Sequence, residues 1–112
     1  MADEEEVWKE AWGIPVSSLG RVVNQTTQLP YFPQSSNRGY AFITVRGKQC
    51  PVHVAVAVAF HGPRPSREHT VDHINGNVAD NRAVNLRWAT KKEQRGNQRV
   101  HKQFQDAMPV EV

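Results

Sequence analysis

A polar loop between two short β-prone runs is the feature that most limits how this chain can fold. The runs are residues 70–73 and 86–89, and the loop between them contains the strong turn signal Asn75-Gly76. The second run leads into Thr90-Lys91-Lys92-Glu93, the capping-box pattern of a helix N-terminus. The segment therefore predicts strand, loop, strand and helix, the helix ending at about Lys102 or Gln105.

The first half of the chain is predicted to be rich in strands. Residues 40–45 are strongly β-prone, and Arg46-Gly47-Lys48 predicts a hairpin turn into residues 49–52. Residues 21–24 predict another short strand, whereas residues 25–39, rich in Pro, Gln, Ser and Asn, predict a loop. Because 112 residues suffice for one compact domain, we expect a single α+β fold.

The single cysteine, Cys50, limits the metal chemistry of the chain. It excludes an internal disulfide and zinc sites built on paired cysteines. Metal ligands would have to come from His, Asp, Glu, Asn or Gln, a set that favours Mg²⁺ or Mn²⁺. No stretch approaches the roughly 20 apolar residues of a membrane span, and the acidic residues 1–6 are the reverse of a signal peptide. We expect an intracellular protein, in cytoplasm or nucleus, without membrane attachment.

Charge is divided unevenly along the chain, although the formal net charge is only +3. Acids gather in residues 1–10, and bases gather in residues 82–102. The basic candidates for phosphate contact are Arg82, Arg87, Lys91, Lys92, Arg95 and Arg99. By charge alone such a set indicates either a nucleic-acid-binding face or a solvated helix surface.

The dense polar string of the second half resembles a known nuclease family. Asp72-His73-Ile74-Asn75-Gly76-Asn77, then Asp80-Asn81-Arg82, then Asn85-Leu86-Arg87-Trp88-Ala89-Thr90, resembles the HNH nucleases, in particular their phage and intron homing-endonuclease branch. Upstream, Trp8-Lys9 with residues 17–22 resembles a short module often fused ahead of that motif. The resemblance implies hydrolysis of DNA phosphodiester bonds by a β-hairpin and helix that hold one divalent metal, the ββα-metal unit.

The resemblance also assigns roles by position. His73 is implied as the general base that activates water, a task suited to a neutral imidazole. Asp72 is implied as a metal ligand, and Asn85 is implied to brace the loop and orient His73. The third family position, His or Asn on the helix, is Gln94 here, which keeps an amide oxygen but adds a methylene. Asn97, about one helical turn further on, is the alternative metal ligand.

With the resemblance, the basic set becomes a set of phosphate contacts on double-stranded DNA, which position the duplex rather than read its bases. The implied organisation is an acidic disordered tail (1–6), a β-rich DNA-contacting module (7–50), the HNH unit (51–105) and a tail (106–112). One site cuts one strand, so a monomer should nick DNA. A double-strand break needs a homodimer or two successive nicks.

Residues 52–61 give two conflicting signals. Their Val/Ala alternation favours a strand by periodicity, whereas the resemblance implies the helix that precedes the motif. We predict a helix.

Three alternative functions stay open on sequence alone. The first is an HNH-fold DNA-binding module whose catalysis is weakened by Gln94. The second is a zinc-binding interaction domain that uses His69 and His73. The third is a ribonuclease, because metal-and-histidine chemistry does not itself choose the sugar.

Overall fold

The computed structural model describes residues 5–35 and 39–96 of the chain. Within these ranges the fold is α+β, as predicted, with a strand-rich first part and a hairpin followed by helix at the end. The elements are β1 (Trp8–Ala11), β2 (Ile14–Ser17), β3 (Val22–Val23), β4 (Pro30–Tyr31), β5 (Phe42–Val45), β6 (Lys48–Pro51), α1 (Val52–His61), β7 (His69–His73), a 3-10 turn (Ala83–Asn85) and β8 (Leu86–Thr90). Residues 91–96 are helical.

The described strands form three antiparallel sheets. One has four strands in the order β1-β2-β3-β4, and the others are the hairpins β5-β6 and β7-β8. The turns of two hairpins, Trp12-Gly13 and Arg46-Gly47, have positive φ at both central residues. This is the pattern of a type I′ turn, whose twist matches that of paired strands. The turn predicted at Arg46–Lys48 is confirmed.

The first sheet contains strands that the sequence did not predict. Strands β1 and β2 have only four residues each, and the turn-forming residues around Gly13 and Ser17 mask them in the sequence. The interpretation of residues 25–39 as a loop is wrong at Pro30–Tyr31, which pairs with β3. The side-chain oxygen of Asn24 accepts hydrogen bonds from Thr26 N (2.7 Å) and Thr27 N (2.9 Å), and this turn reverses the chain so that β4 reaches β3.

Residues 52–61 form helix α1, as predicted against the strand signal of their Val/Ala alternation. The helix begins after Pro51 and ends at Gly62, whose φ of 85° ends the regular backbone. Val52, Ala55 and Val56 are fully buried, a spacing of three and four that only a helix places on one face. Almost every residue of the segment is apolar, so the alternation of Val and Ala does not separate a buried face from an exposed one.

The helix after β8 begins as the sequence predicts. Thr90 N donates to Glu93 Oε1 (2.8 Å), and Glu93 N donates back to Thr90 Oγ1 (3.3 Å). The hydrogen bond from Thr90 N is the main reason that the pKa of the Glu93 carboxyl is lowered. The predicted end of this helix near Lys102 lies outside the described residues.

One hydrophobic core joins the first sheet to the hairpin β7-β8. Its fully buried side chains come from β2, β3, α1 and the residues around β8, with α1 between them. The main members are Ala11, Ile14, Val16, Val22, Ile43, Val52, Ala55, Val56, Ala83 and Leu86. The two lobes that the sequence suggests therefore share their packing. No helix in the described ranges is long and apolar enough to span a bilayer.

Ser17 fixes the turn that connects β2 to β3. Its side chain is fully buried, and its Oγ accepts hydrogen bonds from Leu19 N (3.2 Å) and Arg21 N (3.0 Å). Its carbonyl accepts from Gly20 N at 3.0 Å. The turn is therefore held by bonds to a single buried residue.

Replacing Ser17 by alanine should lower the free energy of unfolding by about 1–3 kcal/mol, because backbone N–H groups in the turn lose their acceptor. Ser18→Ala is the matched control, since Ser18 Oγ accepts an exposed hydrogen bond from Val7 N. We expect a smaller loss there, measured by urea unfolding. Equal losses in the two variants would contradict this account of the turn.

Candidate active site

The end of strand β7 carries two buried polar side chains, Asp72 and His73. Their exposed fractions are 9% and 6%, so each needs partners inside the protein. The antiparallel register places Asp72 opposite Arg87 and His73 opposite Leu86. Arg87 Nε donates to Asp72 Oδ2 at 2.9 Å. The hairpin therefore buries a carboxylate and an imidazole at consecutive positions at one end.

The ring of His73 is held by a second buried side chain. Its Nε2 is 2.9 Å from the side-chain oxygen Oδ1 of Asn81, which is itself only 8% exposed. The resemblance implies that Asn85 orients His73, whereas in the structure the bond to the His73 ring comes from Asn81. The signal available for Asn81 was weak, because an Asp-Asn-Arg string is typical of loops.

Asn85 braces the loop that precedes β8. Its Oδ1 accepts from Asn75 N (2.9 Å), and its Nδ2 donates to Asn75 Oδ1 (3.0 Å) and to the carbonyl of Asp80 (3.0 Å). Ile74 N donates to the Asn85 carbonyl at 2.8 Å. One asparagine thus ties both arms of the loop together, using its amide as donor and acceptor.

The loop carries its own ion pair. Arg82 Nε and Nη2 donate to the two carboxylate oxygens of Asp80, at 2.9 and 2.8 Å. These bonds lower the pKa of the Asp80 carboxyl to about 2, although partial burial acts in the opposite direction. Asp80 is therefore a carboxylate throughout the range in which a nuclease works.

Two aromatic residues form a wall beside His73. The His53 ring lies 5.0 Å from the His73 ring, and the Tyr40 ring lies 5.5 Å from His53 and 6.3 Å from His73. Within the part of the chain that the structure describes, the buried Nδ1 of His53 has no hydrogen-bond partner. Burial, and then the charge on His73, lower the pKa of His53 to about 4. At neutral pH the His53 ring is therefore uncharged.

The residues expected to bind metal are partly brought together. Gln94 Nε2 donates to the carbonyl of Ala89 (3.0 Å) and to Thr70 Oγ1, and neither bond uses its carbonyl oxygen Oε1. Thr70 and Asp72 point to the same side of β7, because side chains alternate along a strand. Gln94 therefore lies on the side of the hairpin that carries Asp72. Asn97 lies outside the described residues.

The donors present fit a hard divalent cation. They are one carboxylate and one amide oxygen, and Mg²⁺ commonly binds through one or two carboxylates completed by water and substrate phosphate. Among the described residues, His, Cys, Asp and Glu form no group of three that would hold a metal without such help. A site of this kind depends on the substrate for part of its coordination.

The zinc alternative fails on the geometry of β7. His69 and His73 are four positions apart on a strand, which separates them by about 13 Å at the usual rise. Ligands of a single zinc ion lie about 2 Å from the metal. His69 is instead bonded to Ser66, with 2.8 Å between Nδ1 and Oγ.

The basic candidates fall into two groups. Lys91, Lys92 and Arg95 are exposed in the helical residues 91–96. Arg82 and Arg87 are engaged with Asp80 and Asp72. The exposed group is therefore the better candidate for phosphate contact, and the paired group shapes the site. Arg99 lies outside the described residues.

Comparison with known proteins agrees with this geometry. A family model described as HNH endonuclease matches residues 50–95, the span from β6 to the helical residues after β8. An uncharacterized HNH endonuclease of Acanthamoeba polyphaga mimivirus is 35% identical in an alignment 107 positions long, and the alignment covers 83% of this chain. Residues 50–95 of this chain form an HNH endonuclease unit. The resemblance read from the sequence is confirmed.

A solved structure extends the comparison beyond the HNH motif. The HNH homing endonuclease I-HmuI, solved in a study of its DNA binding and cleavage, matches with a TM-score of 0.68 and 29% sequence identity. The match covers 93% of this chain and 62% of that chain, so it includes the first sheet as well as the HNH unit. This chain spans 26% of the length of the mimivirus relative.

Acid should destabilise this HNH protein between pH 6.5 and pH 4 because of His53. The unfolded chain binds a proton at His53 near pH 6.5, whereas the folded protein binds it only near pH 4. Stability is therefore full above pH 6.5 and falls as the pH drops through this window, by up to about 1.4 kcal/mol per pKa unit.

Urea unfolding at pH 7 and pH 5 checks the expectation. The wild type should lose more stability over this interval than His53→Phe, which keeps a ring but cannot be protonated. Asp80, with a pKa of about 2, does not titrate in the interval. The same loss in both proteins would show that another group is responsible.

Proposed function

We propose that this chain hydrolyses DNA phosphodiester bonds as a divalent-metal-dependent endonuclease, with His73 as the general base. The observation that carries the proposal is the end of β7, where the consecutive residues Asp72 and His73 are buried and the His73 ring is held by Asn81. The match of residues 50–95 to the HNH endonucleases supports nuclease chemistry. DNA as the substrate is supported by the binding and cleavage of DNA by I-HmuI.

In the proposed reaction, His73 accepts a proton from a water molecule as the water oxygen bonds to phosphorus. The bond between phosphorus and the 3′ oxygen breaks, so the products carry a 5′ phosphate and a 3′ hydroxyl, whose proton comes from solvent. His73 starts the cycle as a neutral imidazole and returns its proton to solvent. The uncharged His53 ring beside it adds no charge of its own near neutral pH.

Asp72 and the amide oxygen of Gln94 are the residues proposed to hold the metal, with Mg²⁺ or Mn²⁺ favoured by their oxygen donors. When bound, a divalent cation offsets the charge that develops on the phosphate and on the leaving oxygen. Arg87, bonded to Asp72, orients that carboxylate. Asn97 stays a candidate ligand from the sequence.

Cleavage of supercoiled plasmid with Mg²⁺ or Mn²⁺, against EDTA, tests the reaction. We expect metal-dependent conversion to open circles, reduced about 10²- to 10⁴-fold in His73→Ala. His69→Ala is the matched control, a histidine on the same strand that is bonded to Ser66, and it should cut like the wild type. Linear product formed before open circles would indicate a homodimer acting on both strands.

Absence of cleavage with either metal would contradict the proposal. The competing function is then a DNA-binding module with weakened catalysis. Gln94 supports this alternative, because its side chain is longer than asparagine and is bonded to β7 and β8. Gln94→Asn separates the two explanations of an inactive wild type. Recovery of nicking in that variant would show that the site is intact apart from this ligand.

The exposed bases after β8 should contribute to DNA affinity through phosphate contacts. Replacing Lys91 and Arg95 together by alanine should lower the slope of log affinity against log salt by about 2, because each phosphate contact contributes close to 1. The double variant Lys91→Arg with Arg95→Lys keeps the charges and should keep the slope. Fluorescence anisotropy over a salt series measures both, and an unchanged slope in the alanine variant would assign binding to other residues.

A further inference from the structure

We propose that Asn81 is a positioning residue that fixes the tautomer of His73, and that the turn of the first sheet at Ser18–Gly20 holds Asn81 in place. The catalytic consequence rests on the proposed function of His73. The structural part, which atom of His73 carries the hydrogen, stands independently of cleavage.

The hydrogen bond between His73 and Asn81 determines where the hydrogen of the ring lies. The side-chain oxygen of an asparagine can only accept, so Nε2 of His73, 2.9 Å away, must donate. In the neutral ring, Nδ1 then carries the lone pair. Both side chains are more than nine-tenths buried, so the loss of this acceptor would leave a donor in a site with little access to water. Asn81 thereby determines that Nδ1 is the atom that takes the proton from water.

Asn81 is in turn held by the first sheet. Gly20, with a φ of 94°, approaches so closely that a Cβ atom on it would lie 3.2 Å from the Asn81 carbonyl oxygen and 3.3 Å from the Asn81 Cβ. Two residues further on, Ala83 N donates to the carbonyl of Ser18 at 2.8 Å. The turn therefore contacts the loop on both sides of Arg82, and Ser17 fixes the turn itself.

These contacts form a continuous chain from the first sheet to the general base. Ser17 fixes the turn, the turn fixes the backbone and Cβ of Asn81, and Asn81 fixes the ring of His73. Because each link is a close contact between buried groups, a shift of the turn by a few tenths of an ångström must move Asn81. The first sheet is thus part of the catalytic apparatus in addition to any contact that it makes with DNA.

The tautomer can be measured on the ¹⁵N-labelled 112-residue chain without metal. Long-range ¹H–¹⁵N correlation of histidine rings at pH 8 distinguishes the two neutral tautomers. We expect His73 in the Nε2–H form, with a ring proton that exchanges slowly with solvent. An Nδ1–H form in the wild type would overturn the proposal, and this measurement needs no variant.

Two substitutions at Asn81 test the positioning role. Asn81→Leu keeps the size but removes the acceptor, and Asn81→Asp keeps an acceptor. We expect Asn81→Leu to lose the slowly exchanging proton and to lower the single-turnover cleavage rate about 10- to 100-fold, with the Kd for DNA little changed. Asn81→Asp should keep the proton. A protected proton, or an unchanged rate, in folded Asn81→Leu would overturn the role.

A pair of glycine variants tests the contribution of the turn. Gly20→Ala and Gly13→Ala both place alanine at a positive φ, 94° and 83°, but only Gly20 has neighbours within 4 Å. Gly20→Ala should lose protection of the His73 proton and slow cleavage about 10-fold, whereas Gly13→Ala should do neither. The double variant Gly20→Ala with Asn81→Leu should be no slower than Asn81→Leu alone, because both act through the same bond. Equal behaviour of the two glycine variants, or additive losses in the double variant, would overturn the role of the turn.

The NMR spectrum tests the inference about Asn81, and the cleavage assay tests the proposed function, so that either can be overturned without the other. A protected Nε2–H proton in a wild type that never cleaves would overturn the proposed function and keep the contact between Asn81 and His73. Cleavage by a wild type in the Nδ1–H form would keep the nuclease and overturn the inference.

Discussion

Two consecutive polar residues at the end of strand β7 are buried, and each is bonded to a side chain from the neighbouring strand or from the loop. Asp72 and His73 both lie in a region with little access to water, where an unpartnered polar group costs about 1–3 kcal/mol or more. Arg87 on the neighbouring strand is the partner of Asp72, and Asn81 in the loop is the partner of His73. The turn of the first sheet at Gly20 lies against Asn81 and contacts this loop directly.

The loop between β7 and β8 is held together by hydrogen bonds among its own polar side chains. It is rich in Asn and Asp, which is typical of exposed and variable segments. Here the same side chains form bonds within the loop, through Asn75, Asn85 and the pair of Asp80 with Arg82. A loop this short cannot form an apolar core of its own. Short polar side chains that bond to the nearby backbone hold it instead. The polar residues of this loop are therefore the ones that hold its conformation.

The sequence predicted those elements whose signals are local. The hairpin of β7 and β8, the capping box at Thr90 and the turn at Arg46-Gly47 each depend on a few adjacent residues, and the structure contains all of them. Strand β4 escaped prediction because it exists through pairing with β3, a contact that its own residues do not encode. The role of Asn81 escaped for the same reason. Two asparagines, Asn81 and Asn85, are equivalent by residue type, and only the path of the loop decides which one reaches the His73 ring.

The common hydrophobic core has a consequence for how such proteins can be recombined. The stretch that matches the HNH model begins at residue 50, yet Val52, Ala55 and Val56 of α1 pack with Val16 and Val22 of the first sheet. A fusion that transplanted only the matched stretch onto another DNA-reading domain would carry an uncovered apolar helix and a loop without its neighbouring turn. The segment that can be transferred as a folded unit is accordingly longer than the stretch that matches the HNH model, and it begins with strand β1.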